Sequence, residues 1–201
     1  SEKNISGSLE ATSQEEHDSY GGMWKYDTDV TGIDALNAIK VKSLIMKNCA
    51  LGPKAIAALA AALSSESMAP MEVLDISKNA IGVDGAKALV SALPDSNIKT
   101  LAFGPKSTKI NLQIDALEPE PEEAATSVNF SNQELGPAEL IIIAHWLSSD
   151  STAPVECVDV SENLISGSKY IDGYKSNGVA AFDTDVTGIE ALSSIKVKSL
   201  I

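Results

Sequence analysis

Few residues in this chain could do chemistry, and their spacing does not bring them together. The two histidines are His17, in a polar stretch, and His145, beside Trp146. Neither has a cysteine, serine or second histidine at a spacing that builds a triad or a zinc site, and both are expected to face solvent. Cys49 and Cys157 make neither a disulfide framework nor a metal knuckle; they read as buried or half-buried thiols. Asp27-Thr-Asp29-Val-Thr31-Gly32, with a copy starting at Asp183, imitates the opening of a calcium loop. Its twelfth position is Ala38 in one copy and Ser194 in the other, so the bidentate carboxylate that closes such a loop is missing. Gly82-Val-Asp-Gly85 opens a helix and is not a phosphate loop. Asn4-Ile-Ser6 and Asn129-Phe-Ser131 are acceptor triplets for N-glycosylation. No catalytic residue, cofactor or metal is assigned on this basis.

Aromatic residues are concentrated in two loops, residues 9–26 and 169–182, which hold Tyr20, Trp24, Tyr26, Tyr170, Tyr174 and Phe182. Tyrosine and tryptophan are the usual anchors of protein interfaces, so these loops are candidate assembly contacts.

What positions these residues is a repeat. Asp27-Thr-Asp-Val-Thr-Gly-Ile-Asp-Ala-Leu-Asn-Ala-Ile-Lys-Val-Lys-Ser-Leu-Ile45 returns 156 residues later as Asp183 to Ile201, with three of nineteen positions changed. Ser1-Glu-Lys-Asn-Ile-Ser-Gly-Ser8 likewise matches the segment from Ser161 to Ser168 at an offset of 160, which places a length difference in the intervening loop. In each copy Thr31-Gly-Ile-Asp34 or Thr187-Gly-Ile-Glu190 has the form of a capping box, in which a hydroxyl and a carboxylate satisfy orphan N–H groups at a helix start. The chain begins in one copy and stops in the next, on the apolar strand 197–201 and without a polar capping unit, so it is expected to be a window on a tandem array.

A shorter period runs inside the long one. Val41-x-x-Leu44-x-Met46-x-x-Cys49-x-Leu51-Gly52 is followed by Met71-x-x-Leu74-x-Ile76-x-x-Asn79-x-Ile81-Gly82, and the frame continues at Leu101, Val128, Val158 and Leu200. Alternation at Leu74 and Ile76 turns one strand face inward. Ile56, Leu59 and Leu63, like Leu89 and Leu93, form an inward stripe at helical spacing. Pro53 and Pro137 suit the first turn of a helix. Segments 51–70 and 135–154 are sisters at an offset of 84. The unit at 98–124 breaks the pattern: Phe103-Gly-Pro-Lys-Ser-Thr108 replaces the asparagine turn, Ile110, Leu112 and Ile114 alternate where a helix belongs, and Glu118-Pro-Glu-Pro-Glu-Glu123 excludes a long helix. Extended backbone is expected on its convex side.

Strand, asparagine turn and amphipathic helix, cleanest in Leu74-Asp-Ile-Ser-Lys-Asn79-Ala-Ile-Gly82 with Gly85 to Leu93, resemble the ribonuclease-inhibitor type of leucine-rich repeat. The resemblance implies one α/β domain, 1–201: a right-handed solenoid with a concave parallel sheet and convex helices, in units at about 1–40, 41–70, 71–97, 98–124, 125–154, 155–196 and 197–201. It also implies protein binding on the concave face, where Asp75, Thr100, Asn129, Cys157 and Asp159 point outward between buried strand residues. The chain departs from a uniformly acidic surface there, since Lys42, Lys47, Lys78 and Lys99 flank Glu72, Asp75, Glu156 and Asp159.

Composition sets further bounds. Net charge is −13 and no basic cluster exceeds Lys40-Val-Lys42, which argues against nucleic acid. The longest apolar run, Leu140-Ile-Ile-Ile-Ala144, is far short of the ~20 residues of a membrane span. No small-molecule substrate is expected. The compartment is open: the resemblance implies the cytoplasm, while use of the sequons or a surface fibre would imply the outside. The expected function is non-enzymatic, a structural or scaffolding segment of an end-to-end array or filament whose partners include further copies of itself. The alternative is a soluble adaptor or inhibitor that holds a protein on the concave face.

Overall fold

The structure is a computed structural model that describes residues 9–10, 24–38, 40–63, 70–112, 127–149, 155–167, 169–170, 179–181, 183–195 and 199–201. Short strands alternate with helices. The first half holds β1 (Leu9–Glu10), β2 (Trp24–Lys25), α1 (Thr31–Asp34) continued by a 3₁₀ turn (Ala35–Ala38), β3 (Ser43–Ile45), α2 (Pro53–Leu63), β4 (Val73–Asp75) and α3 (Gly82–Ala92). The rest holds β5 (Thr100–Phe103), β6 (Thr108–Asn111), β7 (Ser127–Asn129), α4 (Pro137–Leu147), β8 (Cys157–Asp159), β9 (Lys169–Tyr170), β10 (Val179–Ala181), α5 (Thr187–Ser193) and β11 (Ser199–Leu200).

The repeat frame is the register of the sheet. Leu44, Leu74 and Leu101 stand opposite one another in parallel strands β3, β4 and β5. Val128, Val158 and Leu200 do so in β7, β8 and β11. Leu74, Leu101 and Val158 are each 0% exposed and meet Ile56, Leu59 and Leu89 from the helices in one core cluster. Full burial of a side chain of this size contributes about 1.5–3 kcal/mol, so the alignment of inward residues along the strands and along the helices holds the two layers together. Helices pack in chain order, α2 on α3, α3 on α4 and α4 on α5. The one break in the ladder, described next, is bridged by the α3–α4 contact.

The irregular unit departs from expectation in where its extended segment lies. Instead of running over the convex side, β6 turns back and pairs antiparallel with β5, Thr100 opposite Asn111 and Phe103 opposite Thr108. The cause is the turn: Gly104 (φ 71) and Ser107 (φ 61) are both left-handed, and Ser107 N–H donates to the Gly104 carbonyl at 3.3 Å. Thr108 and Ile110 alternate inward, 8% and 3% exposed, which satisfies the period-two pattern within the sheet. The parallel sheet is therefore split in two, β3-β4-β5-β6 and β7-β8-β11, with β6 at the edge of the first. Side chains cross the gap: Lys106 Nζ donates to the Asn132 carbonyl at 2.7 Å, and Trp146 Nε1 donates to the Asn111 carbonyl at 2.8 Å.

The capping boxes also form differently. Thr31 Oγ1 and Thr31 N–H both donate to Asp29 Oδ1, at 2.7 and 3.0 Å, and Thr187 N–H donates to Asp185 Oδ1 at 3.0 Å. The carboxylate two residues upstream captures the threonine, so the hydroxyl is not available to the backbone three residues on, and α1 and α5 start without a side-chain cap.

Candidate functional site

The residues predicted to line the open sheet face lie on it in two separate groups. Asp75 and Thr100 belong to the first sheet, Asn129, Cys157 and Asp159 to the second, with the edge strand β6 between them. Most are engaged locally. Asp75 Oδ1 accepts from Ser77 Oγ at 2.6 Å and Ser77 N–H at 2.9 Å; Asn129 Oδ1 accepts from Ser131 Oγ at 2.7 Å and its N–H at 2.8 Å. Asp159 Oδ1 accepts from Ser161 N–H at 2.9 Å, and the Ser161 hydroxyl and amide hold that carboxyl below its ordinary value. Asn129 Nδ2 reaches Asp159 Oδ2 at 3.3 Å, the one direct contact within the predicted set. Thr100 Oγ1 lies 3.4 Å from Asn111 Oδ1, and Cys157 is a half-buried free thiol. Glu72 takes both Lys42 and Lys99, at 3.8 and 3.6 Å, which pairs that part of the mixed charge flanking the face. Beside exposed polar residues such as Ser43, Ser127 and Asn129, the face also exposes apolar ones: Ile45 is 68% exposed and Val73 36%.

Sequence reasoning missed the groups that join one unit to the next. Asn79 Oδ1 accepts from the N–H groups of Cys49 and Leu51, both at 3.0 Å, while its Nδ2 donates to the carbonyls of Met46, Ile76 and Ser77. One carboxamide thus satisfies the turn of its own unit and that of the unit before. Asn163 repeats this with Gln133 N–H, Leu135 N–H and the carbonyls of Phe130, Val160 and Ser161. Cys49 and Gln133 occupy the corresponding position in the first unit of each parallel stack.

The supposed calcium loop has another use. Asp27, 7% exposed and left-handed (φ 57), points its carboxylate at the start of α2: Oδ1 accepts from Gly52 N–H at 2.9 Å, and Oδ2 from Lys54 N–H at 2.7 Å and Ala55 N–H at 3.1 Å. Pro53 has no N–H to offer, so the orphan donors of this first turn are met by a residue of the preceding unit. Only a distant glycine-proline pair would have signalled this, and it lies 25 residues away.

Of the aromatic set, Tyr20, Tyr174 and Phe182 fall outside the described residues, as do Asn4 of the first sequon and His17. Trp24 and Tyr170 lie in β2 and β9, which pair antiparallel with β1 and β10. Tyr26 is 37% exposed and covers Gly52; burial, with Asp27 beside it, pushes its phenol above the ordinary value. It walls a hollow of about 440 Å³ together with Asn48, Ala50, Lys78, Asn79 and Pro105. His145, expected in solvent, is half-buried because it follows the wholly buried run of α4, and that burial lowers its pKa.

The 19-residue repeat meets two environments in one molecule. Ile33 is 0% exposed and its copy Ile189 38%; Val30 and Leu44 are half-buried against the core, while their copies Val186 and Leu200 are 40% and 48% exposed. The opposite flank shows the reverse. Gly32 is exposed, but Gly188 is buried so closely that a Cβ would lie 2.7 Å from the Pro137 carbonyl oxygen; Leu36 is half-buried and Leu192 3% exposed. Each copy buries the flank turned toward the unit packed on it, α2 for the first and α4 for the second.

Glu139 is, with Asp27, one of two buried carboxyls among the described residues, 8% exposed, with Oε2 accepting Gly136 N–H at 3.0 Å at the start of α4. Burial outweighs those hydrogen bonds and raises its pKa. A carboxyl with a folded pKa above its unfolded value stabilises the fold fully when protonated and loses that contribution as pH rises through the folded value. Glu139→Gln is expected to flatten the decline in stability from pH 4 toward neutrality, as read by urea denaturation across that range.

Among the described residues, no cluster of three or more metal-ligating side chains occurs and no helix is long and apolar enough to cross a membrane. Residues 68–90, which hold β4, the Asn79 turn and most of α3, match the Leucine Rich repeat family. No curated protein matches the chain. The match covers a small part of the chain and supports a leucine-rich repeat, a protein-interaction module that is generally non-enzymatic.

Proposed function

We propose that the chain is a non-enzymatic structural or scaffolding module: one window, of long period 156 residues, in a right-handed solenoid of the ribonuclease-inhibitor-like type whose partners are further repeats end to end. The observation that carries this is the pair of near-identical segments 27–45 and 183–201 burying opposite flanks. Such a segment is two-sided, and a two-sided unit is complete only between neighbours. Stability in such stacks is a sum of unit and nearest-neighbour terms, so adding periods lengthens one body instead of adding separate ones. The test is small-angle scattering on the chain and on the same chain continued past Ile201 by a second run of residues 46–201. One elongated body, its longest dimension growing with the added period, is expected. Two beads that unfold independently would overturn the proposal.

A second reading has its own observation. Ile45 and Ile201, 68% and 63% exposed, with Val73 at 36%, leave apolar side chains on the sheet face away from the helices, where an adaptor would hold a protein ligand. Loss of a discrete, purified partner on Ile45→Asp and Asp75→Lys, with scattering unchanged, would favour the adaptor.

A further inference from the structure

We infer that residues 183–201 form a docking site for one kind of helix, a helix that opens Leu-Gly-Pro-Lys-Ala and carries no acid of its own in the first turn. The inference rests on the array reading and names the partner surface within it. The first copy displays the complex. There α2, whose opening residues are Leu51-Gly-Pro-Lys-Ala55, packs over Ile33, Val30 and Leu44, and Asp27 accepts from Gly52, Lys54 and Ala55 N–H. Beyond it β4 pairs with β3, Leu74 opposite Leu44.

The second copy presents the same groups in the same backbone form. Asp183 is exposed and left-handed, φ 48 against 57 at Asp27. Val186, Ile189 and Leu200 are 40%, 38% and 48% exposed where their counterparts are covered. Leu200 is already registered on Val158, leaving the outer edge of β11 in the position from which β3 accepts β4.

Selectivity follows from how the two Gly-Pro helices cap themselves. In α2, Gly52 supplies no side chain and Lys54 and Ala55 no acceptor, so its donors need a carboxylate from another unit. In α4, Glu139 stands where α2 has Ala55 and already serves Gly136 N–H. A helix of the α4 kind would bring a second carboxylate against Asp183, and like charges at that range repel. The occupant is therefore a further unit resembling residues 46–75, with a helix over Ile189 and a strand along β11.

The experiment uses the full chain and the chain continued past Ile201 by residues 46–201, each with and without Asp183→Ala or Ile189→Asp. Hydrogen exchange at 183–201 is read by mass spectrometry. Exchange is expected to slow at least tenfold in the continued chain, Asp183→Ala to reverse about fivefold of it and Ile189→Asp to abolish it, with both substitution effects small in the original chain. Exchange unchanged by the added period would overturn the docking site. Slowing that ignores both substitutions would overturn it too, while an elongated particle in scattering would leave the array reading standing.

Discussion

Leu74→Ala is expected to destabilise the protein by about 3–4 kcal/mol, while Leu200→Ala, at the same place in the repeat, costs under about 1 kcal/mol. Leu74 is 0% exposed and flanked in register by Leu44 and Leu101, with the helix layer across the core. Both flanking strands are fixed by ladder hydrogen bonds, so the space left by the removed atoms cannot close, and the cost includes the cavity as well as the lost transfer energy. Leu200 is 48% exposed in this chain and has little burial to lose. Urea midpoints at constant slope would measure both. Equal effects at the two positions would mean that the frame does not set burial.

Asn79→Ala is the second large effect, about 2–4 kcal/mol. The substitution removes acceptors from Cys49 and Leu51 N–H and a donor from the Met46, Ile76 and Ser77 carbonyls, leaving part-buried backbone groups unmatched in two units at once. Asn163→Ala is expected to behave alike in the second stack. Gln133→Ala, at the corresponding position but with only two long bonds, 3.3 Å to the Ser131 carbonyl and 3.5 Å from Thr108 Oγ1, is expected to cost about 1 kcal/mol or less. The same denaturation series separates these cases.

Periodicity carried most of the fold. The interval between Leu44 and Leu74, or Val128 and Val158, is a strand register, and inward residues at that interval have to stack if each unit hides its apolar side on the next. The period-two run at Ile110 was legible as a strand, but its place was not. Whether extended backbone joins the sheet or crosses the helices depended on two left-handed residues, Gly104 and Ser107, and only the first is a type that announces such a conformation.

The site was less legible. Asp27 and Asp29 sit two apart in one motif, yet one caps a helix of the next unit and the other binds its own Thr31, a division no local pattern encodes. Asn79 was visible as a turn residue, but its three bonds into the preceding unit span 28, 30 and 33 residues. Asp75, Asn129 and Asp159 were read as outward-facing recognition groups because strand alternation gives direction only. Their carboxylate and carboxamide oxygens are occupied by the serine two residues on, a short-range competition that Asp-x-Ser and Asn-x-Ser spacing signals in retrospect.

The most direct measurement of the central claim is hydrogen exchange within the unmodified chain, comparing the segments 27–45 and 183–201. Sixteen of their nineteen residues are identical, so intrinsic exchange rates nearly cancel and the difference reports packing alone. Slower exchange around Ile33 than around Ile189, with Leu192 more protected than Leu36, is the predicted result. Equal protection of the two copies would contradict the account.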